Sequence, residues 1–254
     1  MKSIRIDKFL ADMQIGTRSQ VKQLLKKGLV TVNGETVKKP EIKVDPDNDR
    51  VFFDGRLLTF EKEVYYMLNK PAGVVSATED RREKTVLDLL SKEDRRPDLF
   101  PVGRLDKDTV GLLLLTNDGP LSHHLLSPRH HVDKTYQVRV DGDITQETVQ
   151  AFEQGLDIGD EKMTLPAKLE PVAVAVAVAG TATIPTTPPF PWHEAKVTIH
   201  EGRFHQIKRM FHATGCEVTW LKRLSMGSLK LDETLEEGCY RRLTAEEIEA
   251  LRNI

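Results

Sequence analysis

Apolar residues recur at Ile6, Phe9, Leu10 and Met13, the i, i+3, i+4, i+7 spacing of a helix with one buried stripe, and Asp7 stands where an acid complements the helix start. Gly16 breaks the run. Thr17 is placed to cap a second helix, whose apolar face is Val21, Leu24 and Leu25 and which Gly28 ends in the left-handed conformation. Leu29 to Val32, Asn33-Gly34 and Glu35 to Val37 read as strand, tight turn, strand. An acidic, proline-marked stretch, Asp45 to Asp49, precedes Val51-Phe52-Phe53, Asp54-Gly55 and Arg56-Leu57-Leu58. Residues 59–63 are read as a linker, so that residues 1–58 form a small module and residues 64–254 a larger body.

The body has a different rhythm. Val64 to Leu68 is β-branched and aromatic and ends at Asn69-Lys70-Pro71-Ala72-Gly73, where proline and glycine stop a strand. Thr85 to Leu90 carries a short helical pattern. Gly111 to Thr116 is purely apolar, as in a strand buried on both faces, and Asn117-Asp118-Gly119 reads as its turn. Strands are predicted at 134–140, 168–171 and 194–200, and helices at 145–154 and 205–214, the latter stopped by Gly215. Pro171 to Gly180 alternates strictly, as in a strand, and a proline-rich loop runs on to Trp192. Thr244 and Glu247 form a capping box for a last helix. Strands outnumber helices without a regular βαβ repeat, so the predicted class is α+β with a mostly antiparallel sheet.

Composition narrows the field less than charge placement does. The 254 residues, 39% hydrophobic and 30% charged, are ordinary globular usage and argue against wholesale disorder. Two cysteines, Cys216 and Cys239, are too few for a disulfide framework and fit the reducing cytoplasm, where the protein is expected to act as a monomer. No apolar run reaches the ~18 residues of a membrane span, and no secretory core follows Met1, so no membrane partner is expected. The net charge of −2 hides an asymmetry: residues 1–44 hold ten basic side chains against four acidic ones. Within them Arg18, Lys22 and Lys26 recur every fourth residue, with Lys27 alongside, a row of about 12 Å that suits the phosphates of a nucleic-acid strand. A solvated lysine face gives the same row.

No phosphate-binding glycine loop, dinucleotide fingerprint, H-E-x-x-H pair or paired C-x-x-C is present, so the chemistry falls to ordinary side chains. His123, His124, His130 and His131 do not repeat a ligand spacing, and no metal is expected. Two polar clusters stand out, Gly103-Arg104-Leu105-Asp106 with Thr109-Val110-Gly111, and Gly202-Arg203-Phe204-His205-Gln206-Ile207-Lys208-Arg209-Met210. Asp106, just ahead of a buried strand, sits where a polar side chain faces a cleft; a surface ion pair with Arg104 explains it equally well. Arg203, Lys208 and Arg209 near a helix start oppose its dipole and call for an anion or a carboxylate close by.

The run R-I-D-K-F-L, T-R-S-Q-V-K-Q-L-L-K-K-G and V-T-V-N-G resembles the S4 RNA-binding domain. With Met67 to Pro71, Gly103 to Asp106, Ser127 to His131, Lys134-Thr135-Tyr136 and Glu201 to Phe211, the whole chain resembles the pseudouridine synthases that join an S4 domain to a catalytic domain. Within that branch it looks most like the members acting on uridine 516 of 16S rRNA; action on 23S rRNA and a non-catalytic ribosome-assembly factor are the alternatives.

That resemblance implies a role for each matching residue. Asp106 becomes the carboxylate that adds to the uridine or its ribose, Tyr136 the ring that stacks on the flipped base, and Lys208 the cation paired with the aspartate. Without the resemblance Tyr136 reads as a strand tyrosine filling the core. A neighbouring cation favours the ionised carboxylate that a nucleophile requires. In the module Arg5, Lys8, Arg18, Lys22, Lys26 and Lys27, and in the body Arg104, His130, His131, Arg203 and His205, are the implied RNA contacts. The partner implied is ribosomal RNA, 16S rRNA in a small-subunit assembly intermediate, and no cofactor is needed because the reaction is an isomerisation.

Overall fold

The computed structural model describes residues 3–13, 15–58, 63–172 and 192–254. The chain divides into two compact units, Met1–Glu63 with Ser91–Asp98, and Val64–Leu90 with Leu99–Ile254. The linker read at 59–63 lies, apart from Glu63, outside the described residues, as does most of the alternating Ala/Val strand and proline-rich loop read between Pro171 and Trp192.

In the first unit a two-residue strand, β1 (Ile4–Arg5), leads into α1 (Ile6–Asp12), and α2 spans Arg18–Lys26. The apolar stripe does what its spacing predicts: Ile6, Phe9 and Leu10 are buried with Val21 and Leu25 of α2. Thr17 and Gln20 cap α2 reciprocally, the Thr17 side chain accepting from Gln20 N and the Gln20 side chain from Thr17 N. Strands β2 (Val30–Val32), β3 (Glu35–Thr36), β4 (Lys43–Val44), β5 (Val51–Phe53) and β6 (Arg56–Leu58) follow. Four of them form an antiparallel sheet in the order β3-β2-β5-β6, while β4 pairs with β1. Asn33-Gly34 and Asp54-Gly55 close its two hairpins with φ of 52°, 90°, 49° and 78°, the positive angles that two-residue hairpin turns require.

The second unit is built on β7 (Tyr65–Lys70), β8 (Phe100–Pro101), β9 (Val110–Thr116), α3 (Gly119–Leu126), β10 (Lys134–Ile144), α4 (Gln146–Gln154), β11 (Lys168–Pro171), β12 (Trp192–Ile199), α5 (Gln206–Ala213), β13 (Glu217–Met226), β14 (Leu229–Lys230), β15 (Tyr240–Arg242) and α6 (Ala245–Arg252). A one-turn 3₁₀ helix at Val86–Leu89 answers the short helical pattern at 85–90. Among the described residues the strands form one nine-stranded sheet in the order β11-β12-β10-β13-β9-β7-β15, with β14 beside β13 and β8 beside β9. Its pairings are antiparallel except β13 with β9. The fold is α+β with a mostly antiparallel sheet, as expected. No helix of the described residues is long and apolar enough to cross a membrane.

Strand β9 shows why its sequence is apolar up to Thr116. Leu113 and Leu115 enter the core cluster that holds Phe152 of α4 and Phe211 of α5, whereas Leu112 and Leu114 enter the cluster that holds Leu121 of α3 and Leu251 of α6. Both faces of the strand are therefore covered.

Two expectations change. Asn117-Asp118-Gly119 is not a simple turn: Asp118 caps α3, its side chain accepting from Leu121 N at 3.1 Å, and Pro120 occupies the first helical turn, where its missing N–H costs nothing. The long strand β13 escapes the pattern because Lys222 and Arg223 interrupt its apolar alternation. Arg223 is 2% exposed, with its Nε donating to Leu112 O at 2.7 Å, so a buried guanidinium occupies a core position.

Candidate active site

Asp106 lies in the segment that joins β8 to β9, and that segment is held from beneath. Lys70, the last residue of β7, is 0% exposed and donates to the carbonyls of Pro71 (3.1 Å), Asp106 (3.1 Å), Lys107 (3.3 Å) and Thr109 (2.9 Å). Burial pushes the Lys70 ammonium down to about 8, a shift that the nearby carboxylates of Asp108 and Asp106 oppose. On the other flank Ser76 Oγ donates to Leu105 O at 2.9 Å and accepts from Leu105 N at 3.1 Å. Backbone contacts thus fix the Asp106 turn before any side chain meets a substrate.

The Asp106 carboxylate is held in turn by α5. Lys208 Nζ is 3.4 Å from Oδ2 and His205 Nε2 is 3.4 Å from Oδ1. His205 is the N-cap residue of α5 and adopts φ 49°, a left-handed conformation that few residues other than glycine take. Lys208 also binds Asp108, at 2.6 and 2.8 Å. Partial desolvation works against ionisation of the largely exposed Asp108, but the hydrogen bond and charge of Lys208 outweigh it and hold that carboxyl below the usual range.

Tyr136, in β10, is 7% exposed and belongs to the core cluster that includes Val138 and Ile199. It also lines a cleft together with Arg104, Asp106, Ile199, Arg203 and His205. The structure therefore brings Asp106, Tyr136, Lys208, Arg104 and His205 to one place.

Other expected site residues stand differently. Arg203 touches this cleft, but its guanidinium is engaged by Glu201 (3.0 Å), by Asp160 (3.4 Å) and by the carbonyls of Lys162 (2.6 Å) and Met163 (2.7 Å). Arg209 binds Asp160 at 2.6 Å. The anion that these cations near a helix start call for is thus supplied by the protein's own carboxylates. His130 and His131 are exposed and lie outside the residues that line the cleft. The reason is local: His131 turns the chain with φ 48°, His130 packs on His124 with centroids 4.0 Å apart, and His124 Nε2 is 2.9 Å from Ile254 O. In the first unit Arg5, Lys8, Arg18, Lys22, Lys26 and Lys27 are exposed, and Arg5 is paired with the buried Asp7 two residues on, at 3.0 and 2.8 Å.

Sequence reasoning gave Lys70 no role beyond its place in the Met67 to Pro71 motif, and it passed over Asp108. A lysine at the end of an apolar run, just before Pro71, is the signal that was available for the first; an acid two residues from another acid is too common a pattern to mark the second.

The RNA pseudouridylate synthase family pattern matches residues 64–213, which include every residue just placed around the cleft. The chain belongs to this family. The S4 domain pattern matches residues 4–51 of the same chain. This pseudouridine synthase is 45% identical over 248 residues, 98% of each chain, to an uncharacterized RNA pseudouridine synthase of Bacillus subtilis. It is 40% identical over 249 residues to the ribosomal small subunit pseudouridine synthase A of Vibrio cholerae, covering 98% of this chain and 99% of the other. It is also 40% identical over 247 residues to the Escherichia coli protein of the same name, covering 96% and 98%. A crystal structure of a pseudouridylate synthase superposes with a TM-score of 0.64 at 39% identity, covering 98% of this chain and 100% of that one. The protein is an RNA pseudouridine synthase: it isomerises uridine within RNA, exchanging the N1 bond to the ribose for a C5 bond.

Proposed function

We propose that this synthase acts on uridine 516 of 16S ribosomal RNA in a small-subunit assembly intermediate, as a monomer in the cytoplasm, with Asp106 as nucleophile. The observation that carries the chemistry is the convergence on one cleft of Asp106, with Lys208 and His205 each 3.4 Å from its carboxylate, and of Tyr136 in the cleft wall. The relatives named for the small ribosomal subunit, 40% identical from end to end, support the target.

In this reading the reactive uridine leaves its stack and enters the cleft, at a cost of a few kcal/mol that stacking on the Tyr136 ring partly offsets. Asp106, with the Lys208 ammonium 3.4 Å from its carboxylate, adds to the uracil or to the ribose. The N1 to C1′ bond breaks, the base turns, and C5 bonds to C1′. C5 then gives up its proton, with the Tyr136 hydroxyl in the role of relay, N1 takes up a proton, and the Asp106 adduct is released. Substrate and product are isomers, so atoms and electrons balance without a co-reactant. Arg104, exposed at the cleft, meets backbone phosphates of the entering strand. The module of residues 1–58 docks on structured RNA through Lys8, Arg18, Lys22, Lys26 and Lys27, contacts that position without reading sequence.

A carbodiimide primer-extension map of ribosomal RNA, from cells with and without the gene and from cells complemented with Asp106→Asn, tests both the target and the nucleophile. One stop lost from 16S rRNA, restored by the wild type and not by the variant, is expected. A stop lost from 23S rRNA instead overturns the target, and restoration by Asp106→Asn overturns the nucleophile.

A further inference from the structure

We propose that Phe204 is a stacking platform for the nucleobase that neighbours the reactive uridine in the target strand; the proposal rests on the reading that a uridine enters the Asp106 cleft. Phe204 is 75% exposed, more than any other large hydrophobic side chain exposed among the described residues. A phenyl ring left in water forgoes the gain of burial, and nothing in the packing of this unit requires it there.

Its placement gives it a use. One face of the ring lies on the His205 imidazole, with centroids 3.8 Å apart and planes 18° from parallel. His205 in turn reaches Asp106 at 3.4 Å. The ring is therefore one side chain removed from the carboxylate, with its other side open to solvent. The pair is also held still. His205 sits at φ 49°, a strained angle for a side-chain-bearing residue, and the Phe204 carbonyl accepts from Arg209 Nη1 at 3.1 Å, whose guanidinium is anchored on Asp160.

The physics of base extrusion supplies the ligand. When a uridine swings out of a stacked strand, the bases on either side lose a neighbour, and that loss contributes to the cost of flipping. A flat apolar ring stacked on His205, which itself lines the cleft, is the surface that recovers it. Base-on-aromatic stacking accepts any base, because every base has a π-face, so Phe204 contributes affinity and registration of the flanking nucleotide rather than sequence choice.

Phe204→Leu keeps the side chain apolar and removes the π-face, and Phe204→Trp restores one. Each variant, and the wild type, is assayed on 16S and 23S rRNA from cells lacking the gene, free and in ribosomal particles. KM and kcat are measured, and RNA affinity is measured in the Asp106→Asn background. On the RNA that the wild type modifies, Phe204→Leu is expected to weaken binding about 5- to 150-fold, the span of base-on-aromatic stacking. Phe204→Trp is expected to stay within about twofold of the wild type. Affinity and KM of the leucine variant within twofold of the wild type overturn the proposal, as does a tryptophan variant no better than leucine. Failure of the underlying reading looks different: the wild type then forms no pseudouridine on either RNA, and the proposal falls with it.

Discussion

The Lys208 ammonium is shared unequally between two carboxylates, lying 2.6 Å from Oδ1 of Asp108 and 3.4 Å from Oδ2 of Asp106. The shorter pair is the more exposed one, with the Asp108 side chain 73% exposed against 27% for Asp106. Contact distance and burial therefore point in opposite directions. An exposed pair contributes at most about 1 kcal/mol, whereas a cation beside a half-buried carboxylate in a cleft acts at lower dielectric.

The two partners are expected to separate kinetically. Asp108→Asn should change kcat by less than about fivefold, the equivalent of 1 kcal/mol. Lys208→Met should lower kcat by about a hundredfold or more, as the loss of one preorganised electrostatic partner does, and leave RNA affinity within about threefold. Single-turnover kinetics with filter binding read both quantities. If Asp108→Asn falls as far as Lys208→Met, Asp108 belongs to the chemistry and the assignment of Lys208 to Asp106 is wrong.

Lys70 makes the stability of the catalytic unit depend on pH in a direction unusual for a lysine that makes four contacts. Its value falls from 10.5 in the unfolded chain to about 8 in the fold. Below pH 8 both states hold the proton, and the cost of burying the charge is fully present. Between pH 8 and 10.5 the native state sheds the proton while the unfolded chain keeps it, so the contribution of this group to stability rises with pH by up to about 3 kcal/mol. Denaturant titrations of wild type and Lys70→Met at pH 7, 8, 9 and 10 isolate it. The stability difference between the two should grow across that window in favour of the wild type, and a flat difference would contradict the assignment.

Gly111 is where β9 meets β13 in the sheet's parallel pairing, opposite Arg223. With φ 97° it occupies the left-handed side, and a Cβ there would run into the Arg223 carbonyl oxygen and come within 2.9 Å of Arg223 N and 2.8 Å of Lys222 Cγ. Gly111→Ala must both strain its own backbone and push β9 away from β13 just after the Asp106 turn. A loss of about 2 kcal/mol or more is expected, together with a drop in kcat, because the Asp106 segment runs directly into this strand. A variant as stable as the wild type in urea would show that the sheet yields there at little cost.

How much of this was legible depended on whether one residue type could carry the message. The stripe Ile6, Phe9, Leu10, the Thr17 cap and the Asn33-Gly34 turn are local and follow from spacing alone. Asp106, Tyr136 and Lys208 were named through resemblance, since a lone aspartate, tyrosine and lysine far apart in sequence announce nothing about a shared cleft. Strand β13 was hidden because Arg223 fills a core position, and α3 because Asp118 and Gly119 serve a helix start as readily as a turn. The Lys70 clasp was out of reach for a further reason. Its acceptors are main-chain carbonyls, which every residue carries and no sequence distinguishes.

The sequence offers both Arg203 and the lysines of α2 as RNA contacts, and salt dependence tells a phosphate contact from a structural one. Each Lys or Arg that neutralises a phosphate releases counterions, so its loss lowers the slope of log K against log salt concentration by about 1. Lys22 and Lys26 are exposed on one face of α2, and replacing either with alanine should reduce that slope by about 1 without moving the thermal midpoint. Arg203 is only 23% exposed and holds Glu201, Asp160 and the carbonyls of Lys162 and Met163, which fastens the 160–163 segment to the start of α5. Arg203→Ala should leave the slope unchanged and destabilise the protein by about 2 kcal/mol, the usual worth of hydrogen bonds made by a charged group. A slope that drops for Arg203→Ala while the thermal midpoint holds would return this arginine to the RNA interface and leave the hold on Asp160 to Arg209.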